Sequence, residues 1–328
     1  AEALAARGEL RSALEVAESA LARAPRDVEV LGRVGRLNAG TRNWERAETL
    51  IERAGALQPD NYLPWQARAE MRLMHTGDAR EGMAILEMAP QGLIPDKLWA
   101  DFHAYAGDTS WTMERAAKRV DEFGLENFAA QWPVFALNAA YAFKAAGQTD
   151  RATELAEATR VVYARSVGPG MEEWIGYSGL AYIEWLTGRT DAALRNGCLA
   201  VEAWRARGGN SPAVYEEFAR IAALSGHLDL ARSLVEQLVR IDYGRTPLNV
   251  YALRLEPAWQ PLREAPGFDD WLATFPPPSR TAGPPQRPVR IDFERFRRHP
   301  EAPSTPFDAS GVDALCAEEA AREIAMNS

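Results

Sequence analysis

Few residues of this chain have a type and spacing that could do chemistry. The four histidines, His75, His103, His227 and His299, stand apart, and none has a second His or a Cys at ligand spacing. Cys198 lies in Gly197-Cys198-Leu199-Ala200, a small-residue stretch that reads as a helix packed against a neighbour, so its thiol is expected to be buried and inert. Cys316, near the C-terminus, is expected to be exposed and has no activating neighbour. Two cysteines so far apart make no disulfide framework and leave the compartment undecided, with the cytoplasm favoured and the periplasm as the alternative. Neither a Gly-x-Ser-x-Gly elbow nor a Gly-x-x-x-x-Gly-Lys-Ser/Thr phosphate loop occurs, and Gly168-Pro169-Gly170 reads as a loop between helices. The pairs Glu172-Glu173 and Glu216-Glu217 read as charges complementing helix N-termini rather than as a general acid and base. Catalytic residues, bound metal and cofactor are therefore not expected, and the chemistry that remains is non-covalent recognition.

Composition supports that direction. Hydrophobic residues make up 47% of 328 residues, enough for a sizeable core. The formal net charge of −9 argues against nucleic acid as a partner, because such a surface repels phosphates. No apolar run approaches the roughly 20 residues that a bilayer-spanning helix needs. The chain opens Ala1-Glu2-Ala3-Leu4-Ala5-Ala6, already in helical rhythm, which leads us to expect further sequence upstream in a membrane-anchored or multi-domain parent.

The elements that position the recognition residues announce themselves by repetition. Ala13 and Ala47, Ala20 and Ala54, and Pro25 and Pro59 are each 34 residues apart. In the second unit Leu31, Val34 and Gly35 share one helix, Trp44-Glu45-Arg46-Ala47 opens the next, and Ala54 and Pro59 close it. Small residues belong where paired helices touch, and proline ends the second helix because it cannot donate to a continuing ladder. Further along, the turns Gly147-Gln148-Thr149-Asp150, Gly188-Arg189-Thr190-Asp191 and Gly226-His227-Leu228-Asp229 recur at spacings of 41 and 38, with Ala152, Ala193 and Ala231 at a common offset.

These residues resemble a tetratricopeptide-repeat (TPR) array over about residues 1 to 243. The resemblance implies an all-α fold: a right-handed α-solenoid of antiparallel helix pairs. Behind it, Glu256-Pro257-Ala258-Trp259-Gln260-Pro261-Leu262-Arg263 is similar to the Asp-Pro-x-Trp-x-Pro-Leu-Arg element that closes TPR regions in bacterial multi-domain regulators, with Glu in place of Asp. Trp259, Leu262, Phe268 and Trp271 are expected to cap the last repeat. The expected organisation is helical repeats over 1–243, a capping element over 244–275, a Pro-rich linker over 276–306 and a tail with a short helix over 307–328. In the linker Val289, Ile291 and Phe293 alternate with charged residues, as in a short strand or a groove-bound peptide, and Arg295, Arg297, Arg298 and His299 form a basic cluster.

In a TPR array the first helix of each pair lines the concave face. That register implies a partner-binding set of Arg36, Glu70, Tyr141, Lys144, Tyr182, Trp185 and Arg220, extended by Phe293 and Phe296 of the tail. For Tyr182 and Trp185 packing against the next repeat weighs evenly with binding, since a one-residue shift exchanges the faces. Asn138 and Lys144 fall near carboxylate-clamp positions, but their neighbours lack the rest of a clamp. The expected function is a non-catalytic scaffold or adaptor for another protein or peptide. The alternatives are a sensory or regulatory module of a larger bacterial signalling or transcription regulator, and an assembly factor or accessory subunit of an enzyme complex.

Overall fold

A computed structural model describes Leu4 and residues 10–167, 173–206, 212–241, 248–275, 312–317 and 321 of the chain. Among the described residues every regular element is helical. Helix α1 (Leu10–Arg23) is followed by the pairs α2 (Val28–Gly40)/α3 (Trp44–Leu57), α4 (Tyr62–Thr76)/α5 (Ala79–Glu87) and α6 (Asp96–Tyr105)/α7 (Ser110–Phe123). A short helix, α8 (Leu125–Gln131), precedes α9 (Pro133–Ala145)/α10 (Thr149–Ser166), α11 (Glu173–Leu186)/α12 (Thr190–Ala206) and α13 (Pro212–Leu224)/α14 (Leu228–Leu238). Each helix packs on the next, and first helices of successive pairs also touch, as α2 with α4, α9 with α11 and α11 with α13. The chain is thus an α-solenoid, in which the apolar stripe of each pair is buried by its neighbours.

Local chemistry sets the boundaries. Asp27, Asn61 and Asp78 cap α2, α4 and α5 by accepting from the amides of Val30, Leu63 and Arg80. Helices α1 and α3 stop two residues short of Pro25 and Pro59. The turns inside five of the six pairs share one hydrogen bond, from an amide to the carbonyl five residues back: Asn43 to Asn38, Asp108 to His103, Gln148 to Phe143, Arg189 to Glu184 and His227 to Ala222; the α4/α5 turn closes instead from Gly77 to Leu73, four back. The five-back bond is the Schellman closure, which needs a left-handed residue, and Gly107, Gly147, Gly188 and Gly226 supply it. In the second unit Arg42 takes that conformation, with φ 60°. Its side chain has a separate task, because Nη2 donates to the carbonyl of Val239 at the end of α14, 3.0 Å away. The early and late ends of the solenoid therefore meet.

The small residues stand where helices approach. A Cβ on Gly35 would lie 2.6 Å from Ile51, and Ala47 and Ala54 are fully buried. Ala20, the repeat equivalent of Ala54, is exposed, and nothing in the structure explains the difference.

Three expectations need correction. Cys198 and Cys316 are paired in a disulfide, so neither is a free thiol. Glu216 and Glu217 lie inside α13 and both pair with Arg220 one turn on, rather than serving a helix N-terminus. Helix α8 was not anticipated; it fills the gap before α9 by burying Phe128 and Ala129, with Phe128 set edge-on to Phe135. Gly168-Pro169-Gly170, Glu172, the 276–306 stretch and the basic cluster lie outside the described residues.

Between α10, α11 and α12 a four-membered ion network replaces apolar packing. Arg160 donates to Glu157 at 2.6 Å and to the buried Glu184 at 2.5 Å, while Arg189 donates to Glu157 at 2.7 Å and also to Glu184. Hydrogen bonds from Arg160, then from Arg189, hold the Glu157 carboxyl down from 4.5 to about 2. A folded value below the unfolded one means stability that is complete above about pH 4.5 and is lost as pH falls toward 2. The difference in urea midpoint between wild type and Glu157→Gln is therefore expected to narrow on going from about pH 5 to about pH 3. A constant difference would show that the network does not set the Glu157 titration.

Candidate interaction groove

The first helices of the pairs present one continuous face. From α2 come Gly32 and Arg36, from α4 Leu63 and Glu70, from α6 Asp101 and Tyr105, from α9 Asn138 and Tyr141, from α11 Tyr182 and Trp185, and from α13 Glu217 and Arg220. Over the later units this face is covered by the chain itself. Residues 248–264 run across it as α15 (Val250–Leu255), a 3-10 turn (Pro257–Trp259) and α16 (Gln260–Glu264), and α17 (Phe268–Leu272) follows.

The crossing begins at Asn249, which is buried. Its Oδ1 caps α15 by accepting from Tyr251 and Ala252, and its Nδ2 donates to the carbonyl of Met74 in α4, 3.3 Å away. Tyr251 then lies against Gly77, where a Cβ would come within 2.5 Å of the ring; Gly77 also has φ 72°, so glycine is required there twice over. Leu255 packs against the buried cluster of Ala69, Leu73, Leu98 and Phe102, as do Tyr62, Trp65 and Tyr105. The Tyr141 hydroxyl donates to the carbonyl of Pro257 at 2.9 Å, and Arg220 donates to the Glu256 carboxylate at 2.9 and 3.0 Å. Trp259 Nε1 donates to the same carboxylate oxygen at 3.0 Å, and the Arg220 guanidinium sits over the indole, 5.4 Å from its centroid. Arg263 closes the segment on itself by donating to the carbonyls of Leu253 and Glu256.

The Glu-Pro-x-Trp-x-Pro-Leu-Arg sequence is thereby explained residue by residue. The acid ties an indole to a repeat arginine, the prolines begin short helices where no amide is needed, Trp259 and Leu262 fill the core, and Arg263 satisfies free carbonyls. Trp259, Leu262 and Phe268 share a cluster with Phe218 and Leu234 of the last pair, and Trp271 packs against it. The same segment reaches back as far as α4.

Electrostatics follow from this closure. Burial alone would lower the Arg220 guanidinium, yet Glu216, Glu256 and Glu217 raise it well above its ordinary value. Burial pushes the Tyr141 hydroxyl up to about 12 and the Tyr182 hydroxyl well above its ordinary value, the latter helped by Glu217, to which it donates at 2.9 Å. Tyr105 is raised by burial, then by Glu256 and Asp101. These phenols remain protonated donors over the accessible pH range.

The residues expected to meet a partner thus divide. Tyr141, Lys144, Tyr182, Trp185 and Arg220 are committed within the chain. Trp185 stacks on Tyr141 at 5.3 Å, and Lys144 lies 4.9 Å from the Trp185 ring centroid while donating to the carbonyls of Trp185 and Leu186 at the end of α11. Asn138 donates to Asp101, which leaves neither Asn138 nor Lys144 in a carboxylate clamp. Glu70 is half-buried and accepts from Gln66 at 2.7 Å. Among the described members of the set, Arg36 lines a cleft of about 580 Å³ between α2, α3 and the start of α4, with Gly32, Ile51, Leu63, Pro64 and Ala67. Phe293 and Phe296 lie outside the described residues. Sequence reasoning missed Tyr105, Asp101 and Glu256; the last was legible as the acid beside Pro257, but its reach to Arg220 was not.

Among the described residues no cluster of His, Cys, Asp and Glu is arranged to hold a metal ion. His103 stacks on Trp111 with its Nδ1 3.2 Å from Asp108, and His75 stacks on Trp44. No described helix is long and apolar enough to cross a membrane.

Comparison with known families agrees with the geometry of the early units. Residues 4–71 match the tetratricopeptide repeat family model, and these units are tetratricopeptide repeats. The match spans the α1–α4 region that carries the cleft. No curated protein matches the chain.

Proposed function

We propose that this chain is a non-catalytic scaffold or adaptor that holds a partner protein or peptide in the cleft of its early repeats. Tetratricopeptide repeats are generally protein–protein interaction modules. The observation that carries the assignment to the cleft is the uneven covering of the first-helix face. Residues 249–263 take up its later part, whereas Gly32, Arg36, Leu63 and Ala67 line a cleft beside its early part. Leu63, 38% exposed, is a suitable apolar anchor, and Arg36 and Arg26 bring charge to the rim. On this reading the chain divides into repeats over 1–243, a closing element over 244–275, a Pro-rich linker over 276–306 and a tail over 307–328.

The test is affinity capture with the full chain, wild type against Arg36→Glu/Leu63→Glu and, separately, Val161→Glu on an exposed position outside the cleft. The partner should be lost with the cleft variant, by a factor of at least about 100 in affinity, and kept with the control. Equal capture by all three, with native helicity throughout, would remove the cleft from the interface.

A second reading, a regulatory module of a larger bacterial signalling or transcription regulator, is supported by the Glu256-to-Arg263 element and its resemblance to the closing element of such proteins.

A further inference from the structure

A covalent tie stands apart from the groove. Cys198 in α12 and Cys316 form a disulfide with Cα atoms 5.5 Å apart, joining positions 118 residues apart in sequence. Cys316 lies in a helical stretch, described over residues 312–317 and labelled α18. Val312 of α18 is fully buried in the cluster that contains Cys198, Val201, Val214 and Phe218. Leu315 packs against that cluster and against a second one formed by Ala181, Ala193, Leu194 and Ile221. Arg205, steadied by the Tyr215 hydroxyl at 2.9 Å, donates to Asp313 at 2.5 Å.

Among the described residues, these contacts and the disulfide are what tie 312–317 to the repeats. The Arg205–Asp313 pair is 36% and 58% exposed, so screening leaves it little strength. Val312 and Leu315 are the apolar side chains through which α18 meets the two clusters. Among the described residues the S–S bond is the one covalent hold on α18, and its two cysteines differ in access: Cys198 is buried, 5% exposed, while Cys316 is half-buried.

We propose that α18 is a redox-released latch, closed over the flank of α12 and α13 when Cys198 and Cys316 are joined and detached when a dithiol reduces them. The thiolate of the dithiol attacks Sγ of Cys316, the more exposed of the two residues; the S–S bond breaks, and Cys198 leaves as a thiolate and takes up a proton. The second sulfur of the reductant then attacks the mixed disulfide, forms the reductant's own disulfide and releases Cys316, which also takes up a proton. Two electrons pass from the dithiol to the chain. Detachment uncovers the apolar flank on which Val312 and Leu315 were seated, while the repeats keep their own core.

The experiment uses the full chain purified in air, with and without dithiothreitol. It reads hydrogen exchange of the peptide spanning 312–317, fluorescence of an anilinonaphthalene sulfonate dye, and far-UV circular dichroism. On reduction, protection in 312–317 should fall by about tenfold or more, dye fluorescence should rise and helicity should stay constant. The Cys198→Ser/Cys316→Ser variant should show the released behaviour without reductant and should not respond to it. Free thiols in a non-reducing peptide map of the air-purified chain would overturn the latch. So would undiminished protection of 312–317 after reduction, or loss of repeat helicity, which would make the bond a structural staple.

Discussion

Trp259→Ala is expected to destabilise the chain by about 3–5 kcal/mol and to split its unfolding into two transitions. Trp259 is completely buried, in a cluster with Phe218, Leu234, Val235, Leu253 and Leu262. Truncation removes the largest side chain of the crossing segment, opens a cavity that rigid helices close only in part, and deprives Glu256 of its indole donor. The second effect comes from connectivity. A simple solenoid joins only neighbouring units and can unravel from an end. Here Asn249 on Met74, Tyr251 on Gly77 and Arg42 on Val239 join early units to late ones, so the ends are expected to unfold together. Loosening the segment at Trp259 returns the array to nearest-neighbour behaviour. Trp259→Phe keeps most of the volume and should cost about 1–2 kcal/mol, with a single transition retained. Urea unfolding followed by circular dichroism distinguishes these outcomes. A loss under about 1 kcal/mol for the alanine variant would mean that the segment does not hold the array closed.

Arg220→Met should be nearly as damaging, at about 3–5 kcal/mol, for an electrostatic reason. The guanidinium is 14% exposed and serves Glu216, Glu217 and Glu256, whose side chains are 10%, 36% and 18% exposed. Methionine matches its length and apolar contact with Trp259 but takes away the positive charge that all three carboxylates share. Arg220→Lys is not expected to rescue, because one ammonium cannot reproduce a planar fork that reaches residues on two elements and stacks on an indole. The companion Arg220→Met/Glu256→Gln removes one of the stranded charges and should recover part of the loss, a coupling of about 0.5–3 kcal/mol. Strict additivity of the two substitutions would show that Arg220 and Glu256 do not interact in solution.

What the sequence discloses follows the range of the interaction. The 34-residue register of Ala13 with Ala47 and of Pro25 with Pro59, and the glycines at 147, 188 and 226, were legible because pairing and turn closure are decided within a few residues. The turn at Arg42 escaped that rule, since the residue there answers to Val239, 197 positions away. The groove was legible only as a register. That Tyr141, Tyr182 and Arg220 share a face could be read from helical spacing; that Pro257 would take the hydrogen bond of Tyr141 and Glu256 those of Arg220 depends on contacts 116 and 36 residues distant. The disulfide has the same character, spanning 118 residues with no local mark at either cysteine. Arg36, by contrast, lines a cleft built by its own helix and the next two, within the range that the repeat register describes.

The most direct test of the closed later groove is amide hydrogen exchange across residues 250–264 in the intact chain. Helices as short as α15 and α16 cannot protect their own amides. The closed arrangement requires protection comparable to that of buried amides in α9 and α13, lost only when the whole array opens. Exchange at the rate of a free chain would contradict it, and would return Tyr141, Tyr182 and Arg220 to an open groove.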